Sequence, residues 1–412
     1  MAVCFFPRSE SSTNHGLELN VEDLKEGGAL VHVTPGWQFP AHHRKLISDR
    51  NLRVIQFPRE DILTRLGAKA IMSNVLLSAY VWAMLGRDVN ALSSLVGEKF
   101  EKKQALLQLN LRSVHEGYSL MDPENGEVSA PLPSPDPRFA GHLLITGSQA
   151  MGFGAIHAGV RLYAGYPMTP SSPLLSFITD VENTTHMVVK HAGRVIPFVA
   201  GAKLANTRMP IIAFGGDGAT FSEGIGHLVH AVRSNYPITF VLHNNENFAL
   251  TTAQASALTS QGHAMNSSPN GMPERTLSTM DFVFSLKPTF VARGVSGDIR
   301  LMTRILKAAI RHRGFAFVDI LQACPTYNHV ATHEFLLDRY FDANAQGHDV
   351  SNLAEARGIA TSVEDRIACG VLYQRADIPD FYARLTPRAG VETTCVEEVR
   401  KYDVSQYFGQ FL

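Results

Sequence analysis

Two short polar motifs in the middle of the chain have the residue types needed to bind a divalent cation and a phosphate group. The first, GGDG, contains Gly216, Asp217 and Gly218, and the second, HNN, contains Asn245, 28 positions after Asp217. A carboxylate and an amide carbonyl oxygen suit Mg²⁺, whose coordination is often completed by the phosphates of a cofactor. The two glycines would let the backbone approach a diphosphate closely. The motifs therefore predict a site for Mg²⁺ and a diphosphate-containing cofactor.

One βαβ unit is predicted to position both motifs. Residues 209–214 and 237–242 are apolar runs typical of buried parallel strands, and each run leads into one motif. Between them, apolar residues recur at steps of three and four, as on one face of a helix. They are Phe221, Ile225, Leu228 and Val232. An Asp-Gly pair alone is also common in tight turns, but here both motifs should meet at the carboxyl edge of a sheet, where α/β folds bind ligands.

The residues around these motifs carry a family signature. They read GRVIPFVAGAKLAN before the GDG, HLVHAVR after it, ALTTAQAS after the NN, and DILQACPTYN further on. GDG followed by NN resembles the thiamine diphosphate motif, and the surrounding segments resemble the β subunit of 2-oxoacid:ferredoxin oxidoreductases over roughly residues 188–385. The resemblance implies that thiamine diphosphate and Mg²⁺ are the cofactors.

The resemblance also assigns residues to this site. It implies that Asp217 and Asn245 bind Mg²⁺ through their side chains and Asn247 through its backbone carbonyl. Thr251, in the segment ALTTAQAS, joins Gly216, Asp217, Gly218, Asn245 and Asn247 among the residues implied to bind the cofactor.

Two earlier parts of the chain resemble other pieces of the same enzymes. YAGYPMTPSSPLL resembles the YPxTPSS motif of the α subunit, which implies that Thr169 binds the substrate carboxylate. NVLLSAYVWAML and KFEKKQALLQLNLRSVHEGY resemble part of the γ domain. The predicted domains are therefore a partial γ-like α/β domain (1–121), a proline-rich linker (122–140), a truncated α-subunit-like segment (141–187) and a β-subunit-like domain (188–412). The predicted fold class is α/β, with a parallel-sheet thiamine diphosphate domain preceded by a smaller α/β γ-like domain.

Two departures from the family pattern concern catalysis. The glutamate that activates the aminopyrimidine ring has no counterpart, because Asp180 and Glu182 are the carboxylates between the α-like and β-like segments and neither lies in a matching motif. Cys324, in LQAC, matches one cluster ligand of the family, but the amino-terminal CxxC region is missing. One thiolate cannot hold a [4Fe–4S] cluster, so the cluster stays in doubt. Cys324 is either a vestigial cluster ligand or a plain buried thiol.

Three functions remain open from the sequence. The family reaction is oxidative decarboxylation of a 2-oxoacid with coenzyme A, with ferredoxin as the electron acceptor. The missing cluster cysteines favour a non-oxidative thiamine diphosphate-dependent decarboxylase instead, and the missing glutamate favours a non-catalytic remnant or structural subunit. Thiamine enzymes generally bind the cofactor between two chains or domains, so the resemblance implies a homo- or hetero-oligomer.

Composition narrows the class of protein. The 412 residues carry a net charge of −1, which gives no electrostatic reason to expect nucleic acid or an anionic membrane as a partner. Four widely spaced cysteines without a CxxC pair fit a reducing compartment, so we expect a cytoplasmic protein. The most hydrophobic stretch, residues 70–85, is shorter than a bilayer span and is predicted to be a buried helix. His42 and His43 are predicted on an exposed basic loop, and His329, His333 and Glu334 on a solvated face.

Overall fold

A computed structural model describes residues 21–22, 24–36, 38–122, 130–134, 136–248, 253–362 and 366–398. The chain divides into two compact units, Met1–His142 and Leu143–Leu412. Thr251, one of the predicted cofactor-binding residues, lies outside the described ranges.

Within its described residues, the first unit combines a small parallel sheet with five α-helices. Strands β1 (Ala29–His32) and β2 (Arg53–Gln56) pair in parallel. The helices are α1 (Ala41–Asp49), α2 (Arg59–Leu66), α3 (Ser73–Met84), α4 (Val89–Phe100) and α5 (Gln104–Ser119). Helix α3 buries Leu76, Tyr80 and Met84, which confirms the buried helix predicted in residues 70–85. No single described helix is long and apolar enough to cross a membrane, although α2 and residues 70–84 pass that test jointly across a bend of 115°.

Helices α4 and α5 are separate because the backbone leaves the helical conformation at Lys103, whose φ is −132°. One local prediction for this unit was wrong. His43 lies within α1 rather than on an exposed loop, and its side chain is buried. Leu46 and Ile47, three and four residues further on, pack against the core from the same face of that helix.

Helix α5 crosses α3 so closely that Gly117 has no room for a side chain. A Cβ atom there would lie 2.2 Å from the carbonyl oxygen of Leu76. We expect Gly117→Ala to lower the free energy of unfolding by about 1–3 kcal/mol, because a backbone must shift. Nothing lies within 4 Å of the equivalent position at Gly97 in α4. Gly97→Ala should therefore keep or raise the stability, by up to about 1 kcal/mol.

Urea unfolding followed by tryptophan fluorescence measures this difference. Both tryptophans of the chain, Trp37 and Trp82, belong to the first unit, so the signal reports on that unit. An equal loss of stability in the two alanine variants would show that close helix packing at Gly117 is not the cause.

The second unit is built on one eight-stranded sheet. Six neighbouring strands run parallel, and two further strands extend the sheet, with β10 antiparallel to β7. In spatial order the strands are β4 (Val188–His191), β3 (Leu162–Gly165), β5 (Ile211–Gly216), β6 (Thr239–Asn244), β8 (Ala316–Leu321), β7 (Phe290–Val295), β10 (Ile367–Gln374) and β9 (Tyr340–Asp342). The parallel-sheet α/β class predicted from the sequence is confirmed.

Helices cover both faces of this sheet. They are α6 (Gly147–His157), α7 (Ser172–Asp180), α8 (Glu182–Thr185), α9 (Val195–Ala205), α10 (Ile225–Ser234), α11 (Thr279–Ser285), α12 (Ile299–Arg311), α13 (His333–Arg339) and α14 (Leu353–Thr361). Alternate strand residues enter two cores: Ala213 belongs to the core that also contains residues of α9, α10, α11 and α14, and Phe214 to the core that contains residues of α6, α7, α12 and α13. Strand β3, from the segment predicted as α-subunit-like, lies between β4 and β5. Residues 143–187 therefore share one sheet and one core with the segment predicted as β-subunit-like.

A buried polar cluster lies where β7 begins. The hydroxyl of Thr289 donates to Asn235 Oδ1 at 2.8 Å, and His312 Nε2 lies 2.9 Å from the same hydroxyl oxygen. Because that hydroxyl proton is used, Nε2 must be the donor in a neutral imidazole. Burial lowers the pKa of His312 to about 4.

Acid is therefore expected to destabilise the protein through His312. The unfolded chain binds a proton at this histidine near pH 6.5 and the folded chain only near pH 4. The neutral His312 therefore makes its full contribution to the free energy of unfolding above pH 6.5, and this contribution is lost as the pH falls toward 4. The loss amounts to about 3 kcal/mol. Glutamine keeps an N–H donor but does not titrate, so His312→Gln should show a correspondingly shallower decline in urea unfolding measured from pH 7 to 4. Parallel declines in the two proteins would contradict this assignment.

Candidate functional site

Asp217 directly follows strand β5 at the carboxyl edge of the sheet. A π-helical turn, Gly218–Glu223, follows it and leads into α10. Its carboxyl group is fully buried, Oδ2 accepts a hydrogen bond from the Ser256 hydroxyl, and the nearby backbone of Asn245 lowers the pKa of the carboxyl group. Oδ1 has no hydrogen-bond partner among the described residues. The structure thus brings the two predicted motifs into contact and leaves one carboxylate oxygen available.

The loop after β6 folds tightly on itself. The backbone N–H of Asn247 donates to Asn245 Oδ1 at 3.2 Å, and Asn247 Nδ2 donates to the carbonyl oxygen of Asn245 at 2.6 Å. Both side chains are buried. Glu246, between them, has a φ of +58°, a left-handed conformation that is uncommon outside glycine. This loop therefore presents its polar atoms in one fixed arrangement beside Asp217.

These strand ends fit a hard cation such as Mg²⁺. Three buried acceptor oxygens lack a donor within the described ranges, namely Asp217 Oδ1, Asn244 Oδ1 and Asn247 Oδ1. A buried acceptor without a donor is costly, and a cation would remove that cost. The described part of the chain contains no group of three or more His, Cys, Asp or Glu side chains able to hold a metal. A cation here would thus depend on one carboxylate and on amide and carbonyl oxygens, a donor set that suits Mg²⁺ rather than a thiolate- or imidazole-bound metal.

The local electrostatics also favour a positive ion. Burial raises the pKa of Asp217 to about 7; the Ser256 hydroxyl opposes this shift, and the nearby Glu246 carboxyl adds to it. Burial likewise raises the pKa values of Glu246 and Asp319. A bound divalent cation would be the largest local charge and would hold Asp217 in its ionised form.

The glycines and the Thr169 loop lie at the same edge. A Cβ at Gly216 would lie 3.4 Å from Pro170 Cδ, so the turn after β3 reaches the end of β5. Thr169 is exposed, with its Oγ1 atom 3.2 Å from Ser172 Oγ. A Cβ at Gly218 would lie 2.2 Å from the ring of Phe248, so this glycine is needed for packing with the loop after β6. The roles of these residues in binding cofactor and substrate stay predictions.

The segment that begins at Ser256 folds back onto the GDG turn. Besides the bond from Ser256 to Asp217, the backbone N–H of Ala257 donates to Ser222 Oγ at 3.1 Å. Sequence reasoning missed Ser256, although it ends the motif ALTTAQAS. It also missed Asn328, which ends DILQACPTYN and whose Nδ2 atom lies 3.4 Å from the carbonyl oxygen of Asn245.

Residues outside this site have ordinary structural surroundings. The three described cysteines are free thiols. Cys324 and Cys369 are buried, and Cys395 is exposed. Glu182 Oε1 accepts a hydrogen bond from the backbone N–H of Val189 at 3.3 Å, so it supports the start of β4. His329, His333 and Glu334 are exposed, as predicted.

Comparison with known proteins assigns most of the chain. The family described as pyruvate ferredoxin/flavodoxin oxidoreductase matches residues 3–120. The C-terminal TPP-binding domain of thiamine pyrophosphate enzymes matches residues 172–320, and the C-terminal part of the pyruvate ferredoxin oxidoreductase beta subunit matches residues 324–389. The second match contains both polar motifs and begins within the segment predicted as α-subunit-like.

Individual relatives agree with these matches. The 2-oxoacid:ferredoxin oxidoreductase subunit beta of Saccharolobus solfataricus is 32% identical over 228 residues, which cover 53% of this chain and 74% of the relative. The 2-oxoglutarate oxidoreductase subunit KorB of Mycobacterium tuberculosis is 35% identical over 136 residues, or 33% of this chain and 36% of that protein. A solved 2-oxoglutarate:ferredoxin oxidoreductase from Magnetococcus marinus shares the fold, with a TM-score of 0.55 and 24% identity over 70% of this chain and 96% of that chain. The chain therefore belongs to the family of 2-oxoacid:ferredoxin oxidoreductase β subunits.

Proposed function

We propose that this chain binds thiamine diphosphate and Mg²⁺ as a subunit of an enzyme that oxidatively decarboxylates a 2-oxoacid, with coenzyme A and ferredoxin as co-substrates. Family membership supports the reaction class. The observation that carries the site is the buried, unpaired Oδ1 atom of Asp217 next to the backbone of Asn245. An acceptor in that position has no function in a purely structural turn, whereas a cofactor-bound cation would use it.

The chain's own residues would bind the cofactor and its Mg²⁺ and would orient the substrate. When bound, thiamine diphosphate supplies the carbanion chemistry of decarboxylation. Asp217, Asn245 and Asn247 would hold the Mg²⁺ that anchors its diphosphate, while Ser256 fixes the other carboxylate oxygen of Asp217. The exposed hydroxyl of Thr169, at the same sheet edge, would donate a charge-assisted hydrogen bond to the substrate carboxylate.

The carboxylate that activates the aminopyrimidine is proposed to come from another chain. Glu182, one of the two carboxylates between the α-like and β-like segments, is engaged by the backbone of β4. The active enzyme is thus proposed to be an oligomer, either with a partner subunit or with a second copy.

Calorimetric titration with thiamine diphosphate tests the cofactor assignment. We expect binding in the presence of Mg²⁺ and none after its removal with a chelator. Cofactor binding that is equally tight with and without Mg²⁺, or no binding in either condition, would overturn the assignment.

Turnover assays with the assembled enzyme test the reaction. An oxidoreductase should reduce a viologen dye only when both a 2-oxoacid and coenzyme A are present. Release of an aldehyde without either acceptor would instead identify a non-oxidative decarboxylase, and cofactor binding without either reaction would identify a structural subunit.

A further inference from the structure

Asn328 joins the loop after β8 to the loop that carries the predicted metal ligands. Its side chain is 5% exposed. Oδ1 accepts hydrogen bonds from the backbone N–H groups of Val330 at 3.1 Å and Ala331 at 3.0 Å. On the opposite side, Nδ2 donates toward the carbonyl oxygen of Asn245 at 3.4 Å and toward Glu246 Oε2 at 3.5 Å. One amide group thus uses its acceptor to close its own turn and its donor to reach the neighbouring loop.

Glu246 is the residue on which this contact acts. It lies between Asn245 and Asn247, and its φ of +58° sets the direction in which the two flanking residues point. Such a conformation costs of order 1–3 kcal/mol for a non-glycine residue and persists only when its surroundings impose it. Asn328 contacts residue 245 through its backbone carbonyl oxygen and residue 246 through its side chain. These contacts therefore favour the strained conformation of Glu246.

We propose that Asn328 is a positioning residue that holds the Asn245–Asn247 loop in the shape that binds the cation. The proposal rests on the proposed function for its metal, but the contacts that define it belong to this chain alone. Without the Nδ2 donor, residue 246 would relax from the left-handed region and the polar atoms of Asn245 and Asn247 would diverge. Partners of this kind, which orient metal ligands without touching the metal, typically change metal affinity by about 10- to 100-fold.

Asn328→Asp removes the Nδ2 donor but keeps the size of the side chain and its Oδ1 acceptor. Aspartate keeps an oxygen for the N–H groups of Val330 and Ala331, but it places an acceptor against Glu246 and Asn245. In the double variant Glu246→Gln/Asn328→Asp, the glutamine amide can donate to the new carboxylate. The contact with residue 246 is then restored with its direction reversed, whereas the contact with the Asn245 carbonyl oxygen is not. Asn270→Asp, at an exposed position, is the control for adding a negative charge.

Two measurements decide the proposal. In the metal-free chain, amide hydrogen exchange at residues 245–248 should be faster in Asn328→Asp than in the wild type, while exchange in β7 is unchanged. With thiamine diphosphate present at a fixed excess concentration, the apparent Kd for Mg²⁺ should rise by about tenfold or more. The double variant should recover part of both effects, and Asn270→Asp should show neither.

Unchanged exchange and unchanged Mg²⁺ affinity in Asn328→Asp would overturn the proposal, as would a double variant no better than the single one. Failure of the proposed function has a different signature. In that case the wild type itself would not bind Mg²⁺ and thiamine diphosphate, and the exchange experiment would still decide whether Asn328 holds the loop.

Discussion

Replacing Asp217 with alanine is expected to abolish the Mg²⁺-dependent binding of thiamine diphosphate. Among the three residues assigned to the cation, Asp217 is the one that carries a charge, and its Oδ1 atom has no other partner among the described residues. Removing it leaves neutral oxygens from Asn245 and Asn247, which hold Mg²⁺ poorly without a carboxylate. We expect the apparent Kd for the cofactor to rise by at least about 100-fold, or 2.7 kcal/mol, in calorimetric titration with saturating Mg²⁺.

Asp217→Asn separates loss of charge from loss of shape. Because burial raises the pKa of Asp217 to about 7, the metal-free fold already tolerates a neutral side chain there, so asparagine should leave the unfolding midpoint nearly unchanged. Binding should nevertheless weaken by at least about tenfold, because Mg²⁺ loses its anionic ligand. Asp180→Ala removes an exposed carboxylate at the end of α7 and should bind as the wild type does. Wild-type binding by Asp217→Asn would show that Asp217 is not a metal ligand.

The local elements of the site could be predicted from the sequence because they follow from periodicity. The apolar runs and the helical spacing between them correspond to β5, α10 and β6. Strand order could not be predicted in this way, since it depends on contacts between distant segments. Strand β3 illustrates this: it pairs with β5, about fifty residues further along the chain, so a segment assigned to a different subunit by its motif lies within the same sheet.

Residues that complete the site were missed for the same reason. Ser256 contacts Asp217 across 39 positions, and Asn328 reaches Asn245 across 83. Both lie in loops, where no repeat of apolar residues indicates which way a side chain points. Their motifs could be quoted from the sequence, but only the fold shows that a hydroxyl and an amide meet the strand ends there.

A buried ion pair lies directly behind the site. Arg293 Nε donates to Asp319 Oδ2 at 3.3 Å, and Arg293 Nη1 donates to the carbonyl oxygen of Ala360 at 3.2 Å. Asn244 Nδ2 donates to the other carboxylate oxygen of Asp319 at 3.2 Å. The Asp319 side chain is fully buried and that of Arg293 is 13% exposed. This pair therefore connects the central strands to Asn244, which precedes the loop that we propose to bind the cation.

Arg293→Met is expected to lower the free energy of unfolding by about 3–5 kcal/mol, because it leaves a buried carboxylate without its countercharge. Arg293→Met/Asp319→Asn removes both charges and should recover most of the loss. In the single variant the Asp319 carboxyl can still take up a proton. The folded state then binds protons more tightly than the unfolded chain, so the loss should be smaller at pH 5 than at pH 8.

Urea unfolding followed by far-ultraviolet circular dichroism at the two pH values measures these effects. The double variant serves as the control, since it fills the same space without a buried charge and should lose little of its stability on going from pH 5 to pH 8. A loss in Arg293→Met that is below about 1 kcal/mol would place the pair among exposed ion pairs, which contribute little. A large loss that is equal at both pH values would instead point to lost packing of the arginine side chain. A large, pH-dependent loss that the double variant reverses would show that the fold tolerates the buried Asp319 carboxylate because Arg293 compensates its charge.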